Sequence, residues 1–239
     1  MRRYPFHSVT IEPSAHPIDG AVRPGTETDS AGLDRSHAEF DVVVVATSLG
    51  GRDALEQLLA PLSADFPAPI VVVQHVGANA HSSLPELLAR RTLLAVRHAE
   101  SDEPLRASTV YVAPPDRHLV IGADRCCILS DDAPVAFSRP AADPLFISAA
   151  DVFGRRCLGI ILTGRLCDGT RGAEAIREAG GVMLAQDPAT CRAPGMPEAA
   201  IRRGVVDLAL PPLALGAALL ALVTTPGARA QLGISTHAA

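Results

Sequence analysis

From Val42 onward the chain alternates short apolar runs with stretches whose apolar residues recur every three or four positions. Continuous apolar runs bounded by turn residues mark strands buried on both faces, and the 3.6-residue recurrence marks amphipathic helices. The pattern predicts strands at 42–47, 70–74, 94–98, 108–113, 158–163, 182–186 and 205–209. Between the first two, Ala54, Leu55, Leu58, Leu59 and Leu62 recur at helical spacing. Ser83, with Pro85 and Glu86 behind it, carries a capping-box signature. Asp143 followed by Pro144 reads as the cap and first residue of another helix. Residues 117–130 break the rhythm, because two short apolar runs flank a Gly-Ala-Asp turn and predict a β-hairpin. The run "LALGAALLALV" is too short to cross a bilayer and reads as a packing helix. Repeated strand–helix alternation implies an α/β fold: a doubly wound, mostly parallel sheet with helices on both faces and an inserted β-hairpin.

Residues 1–39 are rich in Pro, Ser, Thr, Gly, Asp and His and show no periodicity, so a disordered N-terminal tail is expected there. A catalytic domain is expected over 40–225, followed by a C-terminal tail over 226–239.

Composition narrows the chemistry. A net charge of −5 argues against a general nucleic-acid binder. All 21 basic residues are arginine. The absence of lysine excludes Schiff-base enzymes, P-loop NTPases and kinases together. The five cysteines, Cys126, Cys127, Cys157, Cys167 and Cys191, form no C-x-x-C pair. Their odd number and the lack of a signal-peptide pattern at the start suggest reduced thiols and a cytoplasmic location, with no insertion into the membrane.

In doubly wound sheets, sites form beyond the carboxyl ends of the strands. Ser48 follows the first predicted strand, His75 follows the second, and Asp168 follows "CLGIILT" just where a new helix begins. A hydroxyl, an imidazole and a carboxylate on one sheet edge are the inventory of a hydrolytic triad, whose order in the chain is free. Ser48 leads into Leu49, Gly50 and Gly51 at a helix N-terminus. There, unpaired N–H groups can stabilise an oxyanion and glycines let a substrate approach the backbone. Each residue also has a plainer reading: the serine as a turn or cap, the histidine as a hydrogen-bonded structural residue, the aspartate as a helix cap. His98 and His118 lack partners at metal-ligand spacing and read as structural, so no metal is expected. Cys167 reads as a small packed residue, and the arginines of "IRRGVVDL" as a solvated helix end.

Six collinear blocks over about 170 residues carry a resemblance. "ATSLGG" resembles G-A-S-T-G-G, "VVVQHV" resembles V-x-Q-H-M, and "VYVAPPDRHLVI" resembles Y-I-A-P-G-D-x-H-L. "SRPAADPLFISAA" resembles R-P-S-V-D-V-L-F-x-S-A, and "GIILTGRLCDGTRG" resembles G-V-I-L-T-G-M-G-x-D-G-x-x-G. "AQDPATCRAPGMPEAAI" resembles A-Q-x-x-x-T-x-x-x-x-G-M-P-x-x-A-I. These are blocks of the catalytic domain of CheB-type chemotaxis protein-glutamate methylesterases. The resemblance implies a cofactor-independent serine hydrolase acting on glutamate methyl esters of chemoreceptor cytoplasmic helices, with glutamine deamidation in some relatives. It puts the family's catalytic residues on Ser48, His75 and Asp168. Two departures stand beside them: Leu49 replaces a threonine, and Arg165 and Leu166 replace Met-Gly, so that Arg165 narrows the pocket or contacts acidic receptor residues. The family's members usually carry an N-terminal receiver domain. With a tail of about 39 residues in that place no receiver domain is expected, and any regulation is expected to come from a partner, such as a signalling kinase or scaffold, or from expression.

Two other functions remain open on the sequence. The departures at Leu49 and Arg165–Leu166 fit a catalytically weakened relative serving as an interaction module. The glycines after the first strand fit a nucleotide-binding protein, although G-x-G-x-x-G is missing.

Overall fold

The computed structural model describes residues 39–77 and 82–235. The tail expected over residues 1–39 lies outside them apart from Glu39. Seven strands form one sheet in the order β3-β4-β2-β1-β7-β8-β9, and every pairing in it is parallel. In chain order these are β1 (Val42–Thr47), β2 (Ile70–Gln74), β3 (Ala95–His98), β4 (Thr109–Val112), β7 (Cys157–Ile161), β8 (Val182–Gln186) and β9 (Leu208–Leu210). The remaining two, β5 (His118–Ile121) and β6 (Cys127–Ser130), pair antiparallel as the predicted hairpin.

Why β1 reads as unbroken valine is plain from its surroundings. All six of its residues are buried, and side chains on a strand alternate between faces. Val43 and Val45 enter one core with the helices α1 (Gly51–Leu59), α2 (Leu84–Ala89) and α6 (Pro212–Thr224). Val42, Val44 and Ala46 enter the other with α3 (Ala142–Phe153), α4 (Thr170–Glu178), α5 (Gly195–Arg203) and the hairpin. Two apolar cores on opposite faces leave the strand ends as the place for polar side chains. The helix α6 is the predicted packing helix and lies against α1.

Three expectations change. The last strand begins at Leu208, three residues beyond the predicted 205, because Val205 and Val206 pack beside the second core before the chain turns into the sheet. Asp143 does not cap α3: the helix begins at Ala142, its N-cap is Ala141, and Asp143 sits in the first turn with Oδ1 accepting from Gly172 N at 2.9 Å. Ser83 is the N-cap of α2 by position, but its side chain makes no capping hydrogen bond. Where a C-terminal tail is expected over 226–239, a short helix α7 (Ala228–Gln231) follows instead, and Ala228 and Ile234 join the first core. No helix among the described residues is long and apolar enough to cross a membrane.

Candidate active site

The strand order fixes the site. From β1 the chain passes to β2, then to the edge strand β3 and back to β4 between them, and later outward the other way through β7, β8 and β9. The reversal falls between β1 and β7, and crevices in doubly wound sheets open at that point beyond the carboxyl ends. Ser48 directly follows β1, His75 directly follows β2 and Asp168 lies on the loop after β7.

Asp168 is buried, with 3% of its surface exposed. Its Oδ2 accepts from His75 Nε2 at 2.6 Å and from Ala142 N at 2.6 Å. Its Oδ1 accepts from Asp143 N at 3.2 Å and Gly169 N at 2.9 Å. The carboxylate thus caps the start of α3 from another element, and this is why that helix carries no side-chain cap of its own. Burial pushes the Asp168 pKa up. The His75 hydrogen bond, the backbone N–H donors and the His75 charge outweigh it, and the carboxyl lies below its ordinary value. Neighbouring Asp143 goes the other way. Burial, reinforced by the Asp168 charge, raises its pKa against the pull of the Gly172 and Gly169 N–H groups and of Arg171.

Ser48 and His75 line one cavity of about 600 Å³, together with Leu49, Gly50, Gly51 and Arg165. Since Nε2 of His75 is held by Asp168, Nδ1 is the ring nitrogen left for the serine. Among the described residues the Ser48 hydroxyl has no hydrogen-bond partner. Its backbone, by contrast, is fixed: Ser48 N donates to Thr163 O at 2.9 Å, and Gln74 Nε2 donates to Ser48 O at 2.7 Å.

The glycines after Ser48 serve the protein more than the substrate. A side chain at Gly51 would overlap Gln74 Oε1 and Thr47 Oγ1. Gly51 N donates to Ser48 O at 3.0 Å, so it is not an oxyanion donor. Gly50 has φ 85°, and a Cβ there would lie 2.7 Å from Arg192 Cβ. The N–H groups of Leu49 and Gly50 have no acceptor among the described residues and remain as candidate oxyanion donors.

Several contributors escaped the sequence reading. Thr163 shares its hydroxyl between Leu49 O at 2.9 Å and Ala193 O at 3.1 Å, tying the serine turn to the loop after β8. Gly164 lies against Ser48, since a Cβ there would stand 2.9 Å from Ser48 Cβ. Arg192 lines the cavity. The strand-end rule applied to β8 points at the Arg192 loop, and Gln74 stands next to His75; Thr163 and Gly164 lie in the same block as Asp168. The plainer readings hold elsewhere. His98 and His118 bond to backbone groups, His118 Nδ1 accepting from Ala141 N at 3.2 Å. Arg202 and Arg203 pair with Glu198 and Glu174 on the surface. Cys167 is exposed, not packed as expected, because the loop after β7 turns it outward while Asp168 turns in.

Comparison with known proteins bears on the whole domain. The family model "CheB methylesterase" matches residues 43–219. A protein-glutamate methylesterase/protein-glutamine glutaminase of Anaeromyxobacter dehalogenans is 48% identical over 174 residues, covering 73% of this chain and 51% of that protein. A Leptospira interrogans protein described as a putative protein-glutamate methylesterase/protein-glutamine glutaminase is 37% identical over 171 residues, covering 72% of this chain and 89% of its own length. The chain therefore spans about half the length of the first relative and most of the second. The crystal structure of the Thermotoga maritima CheB methylesterase catalytic domain superposes with a TM-score of 0.75 at 35% identity, covering 77% of this chain and 99% of that one.

Proposed function

Because the chain belongs to the CheB methylesterase family, we propose that it is a serine hydrolase that demethylates glutamate methyl esters on the cytoplasmic helices of chemoreceptors and deamidates receptor glutamines. The observation that carries the reading is the 2.6 Å contact of His75 Nε2 with Asp168 Oδ2, with Ser48 on the wall of the same cavity.

The chemistry follows from the ring orientation. Asp168 accepts a hydrogen bond from Nε2–H, which leaves Nδ1 as the ring nitrogen available to act as base toward Ser48 in the same cavity. This reverses the serine-protease arrangement, in which the carboxylate holds Nδ1. His75 Nδ1 takes the Ser48 proton as Oγ attacks the ester carbonyl, and the imidazolium that forms is stabilised by the buried carboxylate. The developing oxyanion meets the N–H groups of Leu49 and Gly50. The proton then passes to the leaving methoxide, methanol departs, and water attacks the acyl-enzyme with His75 again as base. With a glutamine substrate the leaving group is ammonia. The scheme requires no metal or cofactor.

Substitution Ser48→Ala is expected to abolish methanol release from methylated receptor while the thermal unfolding transition stays in place. Undiminished release from that variant would remove the mechanism. A serine-directed phosphonate probe separates the enzyme from a binding-only module, because only an activated Ser48 is labelled.

A further inference from the structure

Two cavity residues have no part in the proton relay. Arg165 follows β7 and Arg192 follows β8, and both are exposed on the wall of the Ser48 cavity. A third arginine there, Arg52, is already matched by Asp53 at 3.2 Å and Glu56 at 3.6 Å. Among the described residues neither Arg165 nor Arg192 has a carboxylate partner.

Arg192 is also placed by the fold with some care. Its aliphatic stem lies over Gly50, and its backbone neighbour Ala193 is tied to Thr163 through both N–H and C=O. It lines a second cavity of about 310 Å³ that shares Gly50 and Asp53 with the first and continues past Gln186 to Pro211 and Pro212. The two cavities together therefore extend beyond Ser48, with the Arg192 cation lining both and Arg165 lining the first alongside Ser48. A single glutamyl side chain does not need this length; a polypeptide segment does.

The molecule as a whole carries a net charge of −5, which repels an acidic partner at long range. Salt damps that repulsion beyond a Debye length of about 8 Å. Inside that distance local charges decide, and two guanidiniums on the cavity walls lack a carboxylate partner among the described residues. Any segment on which glutamates are esterified one at a time presents free carboxylates near the ester, and on a helix those three or four positions away share its face.

We propose that Arg165 and Arg192 are specificity residues that select glutamyl esters flanked by free carboxylates, so that the preferred substrate is a partly methylated acidic helix. The inference rests on the esterase reading for the reacting group and adds the charge of its neighbours.

The test uses two synthetic helical peptides with one glutamyl γ-methyl ester each, flanked at three and four residues on both sides by glutamate or by glutamine. Wild type is expected to show a kcat/KM roughly fivefold higher on the glutamate-flanked peptide at low salt, within the range of exposed charge pairs. The difference should lie in KM and fade as salt is raised. Arg192→Gln and Arg165→Gln should each shrink the ratio, and Arg192→Lys should restore part of it. Fluorescence anisotropy of the same peptides on Ser48→Ala and on Ser48→Ala combined with Arg192→Gln reads selection without turnover. Turnover of both peptides with equal kcat/KM overturns the selection and leaves the esterase standing. Turnover of neither overturns the esterase, and binding then decides: a preference lost with Arg192 supports the selection, and equal or undetectable binding overturns it.

Discussion

The junction from β1 to α1 and the junction from β7 to α4 both enter their helix through a left-handed glycine, Gly50 at φ 85° and Gly169 at φ 89°. Neither helix has a side-chain N-cap. Beyond that common device they differ. The first is three residues long and presents Ser48 with its hydroxyl unpartnered among the described residues. The second is longer and buries Asp168 under four donors: His75 Nε2, and the N–H groups of Ala142, Asp143 and Gly169. On the proposed mechanism a nucleophile has to change partners during the reaction, whereas the group that orients the base must not move. One backbone motif serves both needs because the surrounding donors, not the turn, decide how tightly the functional group is held.

The largest effect comes from loosening the fixed junction. Asp168→Asn keeps the shape but removes the charge and places an NH₂ where an acceptor is needed. A fall in kcat of about ten-thousandfold is expected, as for the equivalent change in a serine protease. Loss of a charged hydrogen-bond acceptor should also cost about 1.5–3 kcal/mol of stability, read by urea unfolding. That stability term has a definite pH sign. Because the folded pKa of Asp168 lies below the ordinary value, its contribution is present above a pH of about 4 and is lost as pH falls through the folded pKa. The wild-type advantage over Asp168→Asn should shrink on acidification, and a constant difference would contradict it.

Next come the glycines of the Ser48 junction. Gly51→Ala has to displace Gln74 and Thr47, which should cost about 1–3 kcal/mol by overpacking. Activity should drop with it, because Gln74 holds the Ser48 carbonyl. Gly50→Ala places a Cβ in left-handed backbone, at about 1–2 kcal/mol, and crowds Arg192. If thermal unfolding found Gly51→Ala harmless, the account of that glycine as a packing requirement would fail.

The smallest expected effect lies in the carboxylate beside the fixed one. The folded pKa of Asp143 is raised, so its charge weighs against folding as pH rises from about 4 through the folded pKa. Asp143→Asn retains an acceptor for Gly172 N and should gain stability relative to wild type over that window. A relative loss there would reverse the sign and refute the assignment.

The local grammar of the chain already carried the seven parallel strands, the hairpin, the packing helix and the location of Ser48, His75 and Asp168 at strand ends. Buried parallel strands write themselves as apolar runs, and turn residues punctuate them, so both are readable within a few neighbours. Which nitrogen of His75 faces Asp168, which carboxylate caps α3, why residue 51 must be glycine and how Arg192 enters the groove were settled only by the folded chain. Each involves a partner far away in the chain, such as Gln74 against Gly51 or Arg192 against Gly50. At such separations a hydrogen bond or a steric overlap leaves no periodic trace, because only the packing of the two cores on the sheet brings the partners together.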